Sequence, residues 1–221
     1  GLTVTLVDQS DQVLAPFDPE LAAILETEIK TNGIQVRLNT GIKAIEAQGH
    51  TVVFADDTQQ SADLILVVTG ATPNHELATQ AHLDVSSDGH IIVDQHLQTS
   101  NPDIYAIGDV IETTSLITGQ RVPSQLSSPA NRQVHLLAYI IPGAHLTYPG
   151  LIAVSVAKIF EQTASMVGYI DRMLQQAGMT IYDSIFITPF DHAFFYPKSR
   201  RLNLKLTYYK TTGQILGGQF F

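Results

Sequence analysis

The opening run Leu2-Thr3-Val4-Thr5-Leu6-Val7 alternates β-branched and aliphatic residues and ends on Asp8, which predicts a strand with an acid at its C-terminal edge. Asp18-Pro19-Glu20 then predicts a helix start, with Asp18 as N-cap and Pro19 at the first helical position. Leu21, Ile24, Leu25 and Ile29 continue it at helical spacing, and Asn32-Gly33 stop it. A strand is expected over residues 34–38, followed by a hairpin of 43–47 with 51–54 across Gln48-Gly49-His50. Residues 64–68 are continuously apolar and read as a buried parallel strand, which ends in the loop Thr69-Gly70-Ala71-Thr72-Pro73-Asn74. Strand, helix, strand, hairpin, buried strand is the order of an α/β nucleotide-binding unit without its first strand and turn.

Beyond Asn74 the texture changes. A short helix over 76–82 precedes Ile91-Ile92-Val93, reached through the turn Ser87-Asp88-Gly89. Residues 99–110 then read as a loop, a short apolar strand at Tyr105-Ala106-Ile107, and an exposed Gly108-Asp109. Ser127-Ser128-Pro129 predicts a helix start with Pro129 as its first helical residue, running to Ile141 and stopped by Pro142-Gly143. From about Pro149 an α+β segment begins, with a strand over 153–160, a helix over 170–176 and a hairpin of 201–209 with 214–221.

Charge and cysteine usage narrow the chemistry. Twelve basic and 21 acidic residues give a net charge of −9, which repels phosphate backbones and argues against general nucleic-acid binding. The absence of cysteine removes disulfides, thiolate nucleophiles and zinc–thiolate sites from these residues and fits a reducing compartment. The longest apolar run, Leu136 to Ile141, is six residues, far short of a membrane span, so a soluble, cytoplasmic protein is expected. Residue 1 is Gly, the first Met is Met166, and strand-like runs stand at both ends; the chain is expected to be a fragment.

Three places could hold a ligand. Asp8, at the end of a Rossmann-type strand, can accept hydrogen bonds from an adenosine ribose 2′-hydroxyl; alternatively it is a solvated strand-end carboxylate. The next basic residue is Lys30, so such a site would prefer NADH to NADPH. Asp109, freed by Gly108, stands where a polyol can be gripped, or else serves as an N-cap for the residues after it. The helix start at Ser128-Pro129-Ala130 offers free N–H groups and a positive dipole end suited to the negative charge of a reduced flavin, with Asn131, Arg132 and Gln133 facing the same point; alternatively it is an ordinary capped helix. The eight histidines lack metal-ligand spacing, Ser184, Asp191 and His192 lack a nucleophile elbow, and Phe194-Phe195-Tyr196 reads as an interface cluster. No catalytic or metal-binding residue is expected.

Seven segments in order resemble the FAD-dependent pyridine nucleotide-disulfide oxidoreductases, nearest the coenzyme A disulfide reductase, NADH oxidase and NADH peroxidase branch. They are Val4 to Asp8, Val68 to Asn74, Thr99 to Val110, Ser128 to Gln133, Val154 to Phe160, Phe195-Tyr196-Pro197, and Ile215 to Gln219. The resemblance implies partial Rossmann-like domains truncated at both ends. Residues 1–72 would be the tail of the NAD-binding domain, 73–148 the returning part of the FAD-binding domain, and 149–221 the start of a dimerisation domain that makes a homodimer. It further implies FAD and NADH as cofactors of the full-length enzyme, with Asp8, Gly70, Gly108 and Asp109 as cofactor contacts. Leu126, Ser127, Ser128 and Ala130 would lie against the flavin. Asn131 and Arg132 would be approached by a thiol substrate such as coenzyme A, and Tyr196 would reach the partner subunit's site.

In this reading hydride passes from NADH through flavin to a disulfide, peroxide or oxygen. The redox cysteine and both glycine-rich nucleotide turns would lie before Gly1, leaving the fragment itself inactive. The alternative is a truncated, non-catalytic dimerisation or binding module. Val134-His135, where the family has Gly-Arg, and 150–155, where it has a Gly-Thr-rich turn, depart from the pattern.

Overall fold

In the computed structural model, which describes residues 1–221, strands β1 (Thr5–Val7) and β2 (Gln35–Arg37) lie parallel, joined by helix α1 (Pro19–Thr31). The apolar stripe works as its spacing requires: Leu21, Leu25 and Ile29 are buried, each stabilising by roughly 1.5–3 kcal/mol. Asp18 is the N-cap residue, with Pro19 next in the chain, yet its side chain makes no capping bond. Strands β3 (Ile42–Glu46), β4 (Thr51–Phe54) and β5 (Gln59–Ser61) form an antiparallel sheet, so the expected hairpin acquires a third strand.

Residues 64–68 correct the sequence reading. They form no strand, and Leu64, Leu66, Val67 and Val68 are 75%, 76%, 65% and 89% exposed. An apolar run becomes a buried strand only where a neighbour supplies ladder partners and cover; here it is bonded to no strand of the chain.

The chain divides into two units, residues 68–152 and residues 1–67 with 153–221. In the former, α2 (Glu76–Gln80) precedes β6 (Ile91–Ile92), which pairs in parallel with β7 (Ile111–Thr114), itself antiparallel to β8 (Arg121–Pro123). Ala78, Ile91, Val93, Leu97, Ile111 and Tyr148 form its core. The strand expected at Tyr105-Ala106-Ile107 is reduced to a single bridge between Gln98 and Tyr105. Helix α3 (Ser127–Ile140) starts at Ser127 behind Leu126, placing Pro129 third rather than first, and no serine side chain caps it.

The last segment is an antiparallel sheet. It contains β9 (Val154–Ile159), β10 (Gln162–Gly168), β11 (Tyr182–Ile187), β12 (Leu204–Tyr209) and β13 (Ile215–Phe220), in the order β11-β12-β13-β10-β9, with α4 (Asp171–Gln176) between β10 and β11. Its core is shared with the first segment: Val13, Phe17, Leu21, Leu25 and Ile29 pack with Ala164, Met166, Ile170 and Phe221. Phe17 meets Phe221 edge-on at 5.6 Å. Gly217 passes so close to the Tyr169 backbone that a Cβ there would collide with it.

An ionic cluster seals this junction. Lys205 Nζ lies 2.8 Å from both Asp18 and Asp171 and also pairs with Glu20. Gln219 donates to Asp18 at 2.6 Å and accepts the Asp18 N–H at 2.8 Å, which explains why Asp18 does not cap its helix. Burial opposes the Lys205 charge, but hydrogen bonds from Lys205 to Asp171, Asp18 and Glu20 outweigh it and raise its pKa above the ordinary value. The opposite sheet face is apolar and open: Val154, Val156, Val167, Ile185, Ile187 and Phe220 are all exposed.

Candidate functional site

The unit 68–152 contains a cleft of about 400 Å³ lined by residues 71–74, Asp109, Val110 and Gln125. Asp109 sits in the 3-10 turn Gly108–Val110 and is exposed into this space. The turn depends on Gly108, whose φ of 84° lies in the left-handed region that favours glycine. Gly70, with φ 104°, immediately precedes the residues of the cleft's other wall.

One side chain holds the two walls of the Asp109 side. Gln133 is fully buried; its Oε1 accepts the Gly108 N–H at 2.8 Å and its Nε2 donates to Ser124 Oγ at 2.9 Å. Gly108 and Ser124 directly precede Asp109 and Gln125, so this amide from α3 fixes both cleft residues. The sequence pattern puts Gln133 among polar groups facing a ligand; in the structure it turns inward instead. The signal that could have revealed it is its offset along α3, six residues after Ser127 and on the face carrying Ile140.

The first turn of α3 belongs to the same unit. Leu126 accepts the Ala130 N–H at 3.2 Å, while Ser127 and Ser128 are exposed at the helix start, where backbone N–H groups lack intrahelical partners. Asn131 and Arg132 are exposed on the helix surface. The arrangement joins a carboxylate that accepts hydrogen bonds from hydroxyls to a helix start that favours negative charge. No cluster of three or more His, Asp or Glu side chains could hold a metal ion.

Asp8 and Tyr196 lie in the other unit. Asp8 comes directly after β1, and its Oδ1 accepts the Ser10 N–H at 2.8 Å. Arg37 adjoins it through the Asp8 N–H to Arg37 carbonyl bond, but the Arg37 guanidinium stacks 3.9 Å over Phe54. Tyr196 is 59% exposed, tilted against Phe195 at 5.2 Å and edge-on to His192 at 6.0 Å.

The chain thus has a mixed α/β fold with a cleft beside a helix start. The chain belongs to the pyridine nucleotide-disulphide oxidoreductase family, whose profile matches residues 1–130. It is 30% identical over 221 residues to the CoA-dependent NAD(P)H sulfur oxidoreductase of Pyrococcus furiosus, covering 99% of this chain and 50% of that protein. The reduced CoADR-RHD protein of Bacillus anthracis superposes with a TM-score of 0.95 at 33% identity, covering all of this chain and 40% of that one. The water-forming NADH oxidase of Lactobacillus brevis, solved with NADH bound, gives 0.92 at 25% identity, with 100% and 49% covered. The chain therefore spans about half the length of the relatives it matches. No helix is long and apolar enough to cross a membrane.

Proposed function

We propose that this chain is part of an FAD-dependent NADH oxidoreductase that passes hydride to a disulfide, peroxide or oxygen. The carrying observation is Asp109 on its glycine turn, open to the cleft, with that turn bonded through the Gly108 N–H to Gln133 in the middle of α3. These residues fit a flavin cofactor: an exposed carboxylate for ribityl hydroxyls, and helix N–H groups for the electron-rich side of the ring. Bound there, FAD supplies the two-electron relay between nicotinamide and acceptor. Asp109 orients the polyol, Leu126, Ser127, Ser128 and Ala130 lie against the ring, and Asn131 and Arg132 meet a thiol substrate. With Arg37 committed to Phe54, Asp8 favours NADH over NADPH.

The domain reading is 1–72 for nicotinamide nucleotide, 73–148 for flavin and 149–221 for dimerisation, in a cytoplasmic homodimer. The open apolar face of the five-stranded sheet supports the last assignment, since a contiguous apolar patch of this kind marks an association surface. Exposed Tyr196 would reach the partner from the adjoining loop. These 221 residues hold no cysteine and no Gly-x-Gly-x-x-Gly turn, so we assign them no turnover of their own.

The test is to isolate the native product from its source cells with antibody against this chain. A product near twice the chain's mass, yellow with flavin and oxidising NADH, supports the proposal, and Asp109→Ala in it should release flavin. A colourless product of the chain's own mass overturns it in favour of a binding module. NADH oxidation by the isolated chain contradicts its assigned inactivity.

A further inference from the structure

His90, which directly precedes β6, is 4% exposed, and its Nδ1 has no hydrogen-bond partner. Its Nε2 lies 3.1 Å from Nε2 of Gln125, a residue that lines the cleft with Asp109. The backbone around the ring is fixed: Ser86 Oγ accepts the His90 N–H at 3.2 Å, and the Ser86 N–H donates to the His90 carbonyl at 2.8 Å. The His75 ring closes over the preceding Gly89, where a Cβ would come within 2.8 Å of it.

The two neutral tautomers of His90 are not equivalent in this setting. With the proton on Nδ1, Nε2 accepts from the Gln125 amide, and a buried N–H is left without an acceptor. Such an orphaned donor costs about 1–3 kcal/mol. With the proton on Nε2, that N–H donates to Gln125 Oε1 once the amide turns over, leaving only a lone pair at Nδ1. An unused acceptor is the milder deficiency. The two ends of an amide are nearly isosteric, so the exchange needs no other movement. Its consequence reaches the cleft, because the Gln125 NH2 then swings away from His90.

We propose that His90 is a positioning residue: by donating from Nε2 to Gln125 Oε1, it turns the Gln125 NH2 into the cleft beside Asp109. The cleft then presents a donor and an acceptor together. That combination suits a polyol-phosphate arm, its hydroxyls donating to Asp109 and its phosphate or hydroxyl oxygens accepting from Gln125. The ligand class rests on the flavin reading above; the tautomer does not.

The experiment uses the whole chain labelled with ¹⁵N at histidine and glutamine side chains. Long-range proton–nitrogen spectra should show His90 protonated at Nε2, with no nitrogen–nitrogen coupling to Gln125. A proton on Nδ1, or such a coupling, overturns the proposal. Titration with FMN, which carries a polyol-phosphate arm, should move the Gln125 NH2 signals. His90→Leu should weaken FMN binding about tenfold, the loss of one hydrogen bond's worth of positioning. His90→Gln, whose amide can occupy the Nε2 position, should restore it. Equal FMN affinity in His90→Leu overturns the positioning role, whereas no FMN binding by the unaltered chain overturns the cleft reading and leaves the tautomer to decide the pair.

Discussion

Two buried polar assemblies hold this molecule, one in each unit, and they work by different electrostatics. In the unit of 1–67 and 153–221, a single ammonium, Lys205, is surrounded by Asp18, Glu20 and Asp171, with Gln219 bonded to Asp18. In the unit of 68–152, a neutral amide, Gln133, bridges Gly108 and Ser124. The ionic assembly spans up to 201 positions of sequence and joins α1 to β12, β13 and α4, whereas the amide spans at most 25. Charge therefore secures the long-range junction, where removal of one partner strands the others. A neutral clamp sets the fine geometry of the cleft, where a fixed charge would compete with Asp109.

The comparison breaks most visibly at Lys205. Lys205→Met leaves the buried Asp18 carboxylate, and the partly buried Asp171 beside it, without their counter-ion and should destabilise by about 3 kcal/mol, read as a lower urea midpoint. The sign with pH comes from the raised folded pKa. The lysine's contribution is complete below its ordinary value of 10.5 and fades as pH rises through the higher folded value. The unaltered chain should thus lose this stability only in strongly alkaline solution, and Lys205→Met should lack that alkaline component.

Gln133→Leu should have a smaller and more local effect, about 1–3 kcal/mol from the unpaired Gly108 N–H and Ser124 hydroxyl. Hydrogen exchange should accelerate at Gly108 while the α1 amides keep their protection; equal acceleration in both would refute the division of labour. Smallest is Lys198, which holds φ 69° in the loop after Tyr196, a strained conformation for a residue with a Cβ. Lys198→Gly should raise stability by about 1 kcal/mol, measured by thermal melting, with the cleft unchanged.

Local chemistry was the legible part of the sequence. The α1 stripe, the glycine turn before Asp109 and the β12–β13 hairpin each rest on residues a few positions apart, and each stands in the structure. The ionic junction was hidden because its members carry no shared local pattern. The strand pattern even points the wrong way: Leu204 and Leu206 look like the core face of β12, yet Lys205 and Thr207 are the buried positions. Tertiary pairing reversed the hydrophobic pattern, because the inward face met a helix start bearing Asp18 and Glu20 while the outward face stayed apolar. Strands β7 and β8 carry no strand pattern in the sequence, because they are short and contain Glu112, Thr113, Thr114 and Arg121, residues that mimic a loop.

The open run at 64–68 bears on the life of the chain in a cell. It is uncharged, β-branched and leucine-rich, without proline, and water reaches most of its side chains. Such segments pair readily with copies of themselves and attract the chaperones and proteases that triage unfolded protein. Expressed by itself, the chain should therefore self-associate through this run unless another strand covers it.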